Sequence, residues 1–286
     1  MKITKSARRG AICLAACAAL AGLTSAGAAT PAPAPAPASA LTYADLADLA
    51  DPAQLVLRVK ITRQSMIDPA RSPGLSPGKV RLYVEARPEA ALAGQVPPVK
   101  VVKYLVDVPV GADRRVPKVR GKSYIVFARA VPGKPGELQL VAPDAQLPAD
   151  PVTAARLMPL LAELADPGAP PRIAGIRDIL SVQGNLAGES ETQLFLDSVS
   201  DGPVLVSVVR RPGASPIWSV SWSELVDQAG RSPAPDTLAW YRLACTLPGR
   251  LPAQANLARG DADRSRALRD YALIKQELGV CARTRK

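Results

Sequence analysis

Residues 54–63 read QLVLRVKITR, and this stretch decides the fold of the first half of the chain. Its apolar residues occupy every second position, which is the period of a β-strand with one buried face. The same alternation recurs in residues 80–86, 100–110, 123–131 and 137–141, with Pro- and Gly-rich turns in the intervals. Five short strands in roughly 90 residues predict a small β-barrel, closed or partly open.

A short helix is predicted before the first strand. Residues 41–50 carry Tyr43, Leu46 and Leu49 at every third position, which favours an amphipathic helix. The carboxylates at the same spacing on its other side are Asp45, Asp48 and Asp51. We interpret these three carboxylates as a solvated polar face and not as an ion site.

The pattern changes at residues 147–151, LPADP, which we interpret as a domain boundary. The later helices are predicted at residues 152–165, 237–247 and 261–278. The later strands are predicted at residues 172–182, 191–199, 203–211 and 217–225. Consecutive strands of this kind indicate an antiparallel meander. We therefore predict an α+β chain of two domains, with a small β-barrel over residues 41–150 and a β-meander with two to three helices over residues 151–286.

The first 28 residues have the features of a secretory signal peptide, because four cations precede an apolar run that ends in small residues near Ala28. Residues 29–40 are rich in Pro and Ala and predict an extended linker. Alternatively, residues 14–17, LAAC, form a lipobox whose Cys17 is acylated. The protein is therefore expected to be periplasmic or secreted, or a membrane-anchored lipoprotein. No later apolar run is long enough for a transmembrane helix.

The chain carries 36 Lys and Arg residues against 25 Asp and Glu residues, a net charge of +11, and loss of the four signal cations leaves +7. The excess lies mostly in residues 41–150, with 16 basic and 11 acidic residues. The densest cluster is a candidate anion-binding patch formed by Arg114, Arg115, Lys118, Arg120 and Lys122. The alternative is a solvated loop between two strands. Because export removes the chain from nucleic acid, the expected partner is an envelope protein or an anionic envelope polymer or lipid.

Two of the four cysteines lie in the signal, which leaves Cys245 and Cys281 in the exported chain. Two thiols in an oxidising compartment usually pair. We therefore predict a structural disulfide between Cys245 and Cys281. A redox role is disfavoured because the chain contains no Cys-x-x-Cys.

The chain contains no histidine, which excludes catalysis by a Ser-His-Asp or Cys-His arrangement and any imidazole metal ligand. The most distinctive polar stretch contains Glu189 and Glu191, which on a strand would point the same way about 7 Å apart. Such a pair suits general acid/base chemistry or a divalent cation, but a loop entering a hairpin is the interpretation we favour. We assign no catalytic residue, metal ligand or cofactor.

Two resemblances add to this picture. The strand order of the first half, with GKSYIVF at residues 121–127, resembles the OB-like barrels of netrin-type and tissue-inhibitor domains, although those carry disulfides that this half lacks. That resemblance implies an OB-like barrel and a protease-inhibitor-like role. The stretches GESETQ at residues 188–193 and WYRLAC at residues 240–245, with the signal and the tail at residues 283–285, are similar to an uncharacterised family of exported bacterial proteins. That similarity implies the compartment and no site.

The leading functional hypothesis is a non-catalytic, exported cell-envelope protein that binds a protein or an anionic envelope component through its basic first half. The alternative is a carboxylate-based hydrolase or metal-assisted enzyme that uses Glu189 and Glu191. A protease-inhibitor-like module is the third hypothesis.

Overall fold

The structure, a computed structural model, describes residues 41–95, 98–111, 113, 115–200, 202–222 and 231–285. The predictions for the signal peptide, the linker, Cys17 and Arg114 lie outside these residues. In the described part the chain is mixed α+β, with two antiparallel sheets and four α-helices. This arrangement confirms the predicted fold class.

The first sheet is built from the alternating stretches of the first half. Its strands are β1 Leu55–Met66, β2 Lys79–Ala93, β3 Val102–Pro109, β4 Ser123–Ala130, β5 Leu138–Leu140 and β6 Gln146–Pro148. Their order is β3-β2-β1-β4-β5, and β6 also pairs with β4. In β1, Leu57, Val59 and Ile61 are buried while Arg58 and Lys60 are exposed, as the alternation predicts.

The first sheet is open, so the expected barrel closure is not found. Its edge strands β3 and β5 approach each other through one isolated parallel bridge between Lys103 and Glu137. The backbone N–H of Asp107 also donates to the carbonyl oxygen of Pro143 at 2.7 Å. Because β5 has only three residues, it does not extend this bridge into a continuous ladder.

The second sheet is a four-stranded antiparallel meander in the order β10-β9-β8-β7. Its strands are β7 Ile173–Gln183, β8 Ser190–Ser198, β9 Val204–Arg210 and β10 Ile217–Ser221. The face that carries Leu194, Val206 and Trp218 is buried. The prediction of a meander in the second half is therefore confirmed.

Four helices pack with the sheets: α1 Tyr43–Ala50, α2 Pro151–Ala165, α3 Leu238–Ala244 and α4 Asp261–Leu278. Thr42 and Asp45 form a capping box that starts α1, which is why this helix begins at Tyr43. Asp150 caps α2, and Pro151 stands in its first turn. The helix α2 continues through Pro159 without interruption.

One buried apolar cluster contains residues of both sheets and all four helices. The described residues from Leu41 onward belong to one compact unit. The stretch at residues 147–151, where we expected a boundary, contains the end of β6 and the start of α2. Strand β6 had no sequence signal, because three residues are too few for a period to be visible.

Candidate anion-binding surface

The loop that leads into β4 is fixed by a single side chain of β1. The Oε1 atom of Gln64 accepts the backbone N–H groups of Val119 at 2.7 Å and Arg120 at 2.9 Å. The Nε2 atom of Gln64 donates to the carbonyl oxygen of Pro117 at 3.0 Å. Because Val119 is buried, its N–H has no access to water and depends on this bond. The loop therefore presents its side chains from a backbone held in place.

A tight turn leads from this loop into β4 and is hydrogen-bonded to β1. The N–H of Gly121 donates to the carbonyl oxygen of Ile61 at 2.8 Å, and the N–H of Ile61 donates to that of Lys122 at 3.0 Å. Gly121 has φ +83°, a conformation that costs other residues strain. This turn brings Lys118, Arg120 and Lys122 next to β1, and all three side chains are exposed.

Two further cations lie on the strands beside this turn. Lys60 of β1 stands directly opposite Arg87 of β2 and opposite Ser123 of β4. Directly opposite residues have Cβ atoms about 5 Å apart, and two like charges there repel each other. We call Lys60, Arg87, Lys118, Arg120 and Lys122 the basic surface. None of these five forms an ion pair with any acidic residue in the described ranges.

One member of the predicted patch forms an ion pair within the loop. Arg115 pairs with Asp113 at 3.5 Å, and the two side chains are 86% and 58% exposed, so this pair contributes little. Lys60 and Arg87 were missed, because they are far from residues 114–122 in sequence. In the sequence, each of the two is marked only as a cation in or next to an alternating stretch. The register of β1 against β2 was needed to show that they lie side by side.

The carboxylates of α1 are not a solvated face, so that interpretation was wrong. Asp45 is 1% exposed. It accepts the hydroxyl of Thr284 at 2.6 Å and the backbone N–H groups of Thr284 and Arg285 at 3.0 Å. Burial opposes the ionisation of Asp45, but the bonds from Thr284, Thr42 and Arg285 outweigh it and hold its pKa well below the usual value.

The two other α1 carboxylates also bind specific partners. Asp48 accepts the hydroxyl of Tyr241 at 2.7 Å and the guanidinium of Arg283 at 2.6 Å. Burial favours the neutral form of Tyr241 and, together with this bond, raises its pKa. We call Asp45, Asp48 and Asp51 the carboxylate row.

Asp51 and Arg242 form the most buried ion pair of the carboxylate row. Arg242 binds both of its oxygens at 2.8 Å, and Arg172 adds a bond at 2.7 Å. The side chains of Arg242 and Asp51 are 7% and 12% exposed. Burial opposes the ionisation of Asp51, but the hydrogen bonds of Arg242 and Arg172 prevail and lower its pKa. The row therefore ties α1 to α3 and to the C-terminal segment.

The predicted cysteine pair is at disulfide distance. The sulfur atoms of Cys245 and Cys281 are 2.03 Å apart and are separated by 36 positions in sequence. Cys245 is the C-cap of α3. Cys281 lies after α4, two residues beyond the C-cap Gly279. The bond fixes the C-terminal segment just before the residues that the carboxylate row binds.

Glu189 and Glu191 lie at the start of β8 but have different surroundings. Glu189 is in the β7–β8 turn, where one of its carboxylate oxygens accepts the N–H of Leu186 at 3.3 Å. Glu191 is on the strand and accepts the side-chain amide of Gln193 at 2.8 Å. Neither residue lines the cavity of about 660 Å³ beside β2 and β3 or three smaller cavities of about 340 to 480 Å³.

Within the described ranges, no group of three or more metal-ligating side chains is found. No helix among the described residues is long and apolar enough to cross a membrane. No protein-family model matches the chain, and no curated protein matches it.

Proposed function

We propose that this chain is a non-catalytic, exported cell-envelope protein that binds an anionic envelope polymer or lipid through the basic surface. One observation carries the proposal: Lys118, Arg120 and Lys122 are exposed in a turn bonded to β1, Lys60 of β1 stands opposite Arg87, and no acidic side chain of the described residues forms an ion pair with any of the five. Cations without acid partners raise the local positive potential, which an anionic partner relieves.

The chemistry of the basic surface favours a polyanion over a folded protein partner. Interfaces between folded proteins are dominated by a few buried aromatic or arginine anchors in dehydrated pockets. All five side chains of the basic surface are exposed, so none of them lies in a dehydrated pocket. Long exposed cations suit headgroups or polymers whose charges are spread over an area.

The envelope location comes from the N-terminal sequence and from the cysteines. A signal with cleavage near Ala28 would release the chain, and acylation of Cys17 would hold it at the membrane through the Pro- and Ala-rich linker. The disulfide-distance pair is consistent with an oxidising compartment. Either form brings the basic surface close to anionic envelope components.

The finer fold assignment, an OB-like barrel over residues 41–150, is part of the same proposal. Its support is the strand order β3-β2-β1-β4-β5 and the parallel bridge between the edge strands at Lys103 and Glu137. Nothing in the described residues favours the two alternative functions, a carboxylate-based enzyme and a protease inhibitor, in the same way. In the turn that holds Glu189, its carboxylate already accepts a backbone N–H.

Co-sedimentation of the exported chain with vesicles tests the proposal. We expect binding to vesicles rich in phosphatidylglycerol, no binding to neutral vesicles, and release in about 0.5 M salt, where the Debye length falls to a few ångströms. Replacing Lys118, Arg120 and Lys122 with Gln should weaken binding by about tenfold or more, since each cation near an anionic surface contributes about 1 kcal/mol.

The matched control replaces three exposed arginines outside the basic surface, Arg250, Arg259 and Arg269, with Gln. This variant loses the same net charge but keeps the basic surface, so it should bind nearly as the parent does. Equal loss of binding in both variants would mean that net charge and not the basic surface is responsible. Binding that survives high salt would also contradict the proposal.

A further inference from the structure

The outward faces of β2 and β3 form one wall of a cavity of about 660 Å³. The β4–β5 loop and β5 form the opposite wall, where the two edges of the first sheet fail to pair continuously. Cavities of about 300 to 1,000 Å³ are typical of sites for small molecules. No residue of the basic surface lines this cavity.

The floor of the cavity is apolar. Tyr83 of β2 stands directly opposite Leu105 of β3, and both line the cavity. Leu105 is 47% exposed, so it presents apolar surface to the cavity beside Tyr83. Val131, Val141 and Pro143 add apolar surface from the opposite wall. This floor suits the hydrocarbon part of a ligand.

Two of the three cations that line the cavity form ion pairs with acidic side chains of the protein. Arg81 binds both oxygens of Asp107 at 2.7 and 2.9 Å, and Asp107 is 4% exposed. The hydrogen bond with Asp107 raises the pKa of Arg81. Lys134 pairs with Glu137 at 3.4 Å on the exposed rim.

Lys103 is the cation that remains. It lies opposite Glu85 in the β2–β3 register, but Glu85 pairs with Arg63 on the other side at 3.9 Å. No acid of the described residues forms an ion pair with Lys103, whose side chain is exposed and lines the cavity. The cavity therefore combines an apolar floor with one ammonium group that forms no ion pair in the described residues, although Glu85 and Glu137 are its neighbours in the strand register.

We infer that this cavity binds a small amphipathic carboxylate, with the hydrocarbon part on Tyr83 and Leu105 and the carboxylate on the Nζ atom of Lys103. The charged side chains that line the cavity are three cations and two acids, which leaves one positive charge for a single carboxylate. A dianion such as a phosphate monoester is disfavoured, because Arg81 and Lys134 already pair with acids of the protein and leave no second cation for it. The inference does not depend on the proposed binding of polyanions.

Titration of the exported chain with octanoate, followed by amide NMR spectra and calorimetry, tests the inference. Octanoate should shift the amide signals of β3 and β5, and octanol, which lacks the charge, should bind at least about tenfold more weakly. Lys103→Gln should weaken octanoate binding by a similar factor. Lys100→Gln is the control, since Lys100 is exposed nearby but does not line the cavity.

Leu105→Asp is a second variant, which should abolish octanoate binding by placing a negative charge on the floor. Because Leu105 is half exposed, we expect its thermal unfolding to remain close to the parent's. Equal affinity for octanoate and octanol, unchanged affinity in Lys103→Gln, or amide shifts confined to other elements would each overturn the inference. The variant with Lys118, Arg120 and Lys122 replaced should keep its octanoate affinity, which separates this site from the basic surface.

Discussion

The basic surface and the surroundings of the carboxylate row both contain cations, but the two regions use them differently. In the row, Arg242 is 7% exposed and holds both oxygens of Asp51, and Arg172 reaches the same carboxylate. On the basic surface, Lys60 faces Arg87, and the loop cations project into solvent without an acid partner in the described ranges. The same residue types are structural in one region and available to a ligand in the other.

The difference follows from burial. A buried charge needs a partner, because an unpaired ion in the interior costs several kcal/mol. An exposed cation is stabilised by water, so pairing adds little to stability. Cations that the fold leaves exposed and clustered are therefore better evidence of a binding surface than the net charge of the chain.

Asp51→Ala should give the largest effect. It leaves Arg242 buried without its carboxylate, so we expect the free energy of unfolding to fall by about 3 to 5 kcal/mol, measured by urea denaturation. The control is Asp113→Ala, which removes an exposed partner of Arg115 and should cost less than about 0.5 kcal/mol. Equal effects in the two variants would mean that burial does not distinguish the two regions.

The pH dependence provides an independent check of the same pair. The pKa of Asp51 is lowered from an ordinary value of 3.8, so its contribution is complete above about pH 4 and is lost as pH falls through the folded-state pKa. Asp51→Asn should therefore show a shallower loss of stability than the parent as the pH falls below about 4. An unchanged slope would show that the pair does not control acid stability.

Replacing both Cys245 and Cys281 with Ser should rank second. A cross-link that closes 36 positions stabilises by roughly 3 to 4 kcal/mol in the chain-entropy model, and its loss should also free the segment bound by the carboxylate row. The measurement is urea denaturation with and without reductant. Reductant should lower the stability of the parent to that of the variant and leave the variant unchanged. A parent insensitive to reductant would contradict the role of the disulfide.

Gln64→Ala should moderately destabilise the loop that carries the cations of the basic surface. It leaves the buried N–H of Val119 without an acceptor, which costs about 1 to 3 kcal/mol. Hydrogen exchange at Val119 and Arg120 should accelerate, and binding to anionic vesicles should weaken because the loop cations are no longer held together. Gln183→Ala, at an exposed position of β7, is the control and should change neither quantity. Unchanged exchange at Val119 would show that Gln64 does not order the loop.

Replacing Lys118, Arg120 and Lys122 with Gln should have the smallest effect on stability. Because these cations have no acid partner in the described residues, the free energy of unfolding should change by less than about 0.5 kcal/mol, and relief of repulsion favours a slight increase. Urea denaturation measures this change. A loss of more than about 1 kcal/mol would assign the basic surface a structural role and erase its contrast with the carboxylate row.

Hydrophobic periodicity, together with residues typical of turns and helix ends, predicted most of the helices and strands. The alternation in β1 and the apolar spacing of α4 were visible because each repeats over several turns or rungs. The three-residue strand β6 was invisible for the opposite reason. Pro159 lies inside α2, where proline is unfavourable, yet the helix continues past it, and Leu157, Leu160 and Leu161 are buried around that position. Tertiary packing outweighed local propensity there.

The sequence by itself determined the α+β class, the strands of both sheets except β6, the cysteine pair and part of the basic surface, since these depend on local periods and on residue counts. Only the tertiary structure decided that the first sheet stays open, that Lys60 and Arg87 join the loop cations, and that the carboxylates of α1 are paired. These features depend on contacts between distant residues, such as Arg242 with Asp51, 191 positions apart. Whether a charge becomes structural or stays available depends on its burial, and burial is a property of the packed fold and not of the local sequence.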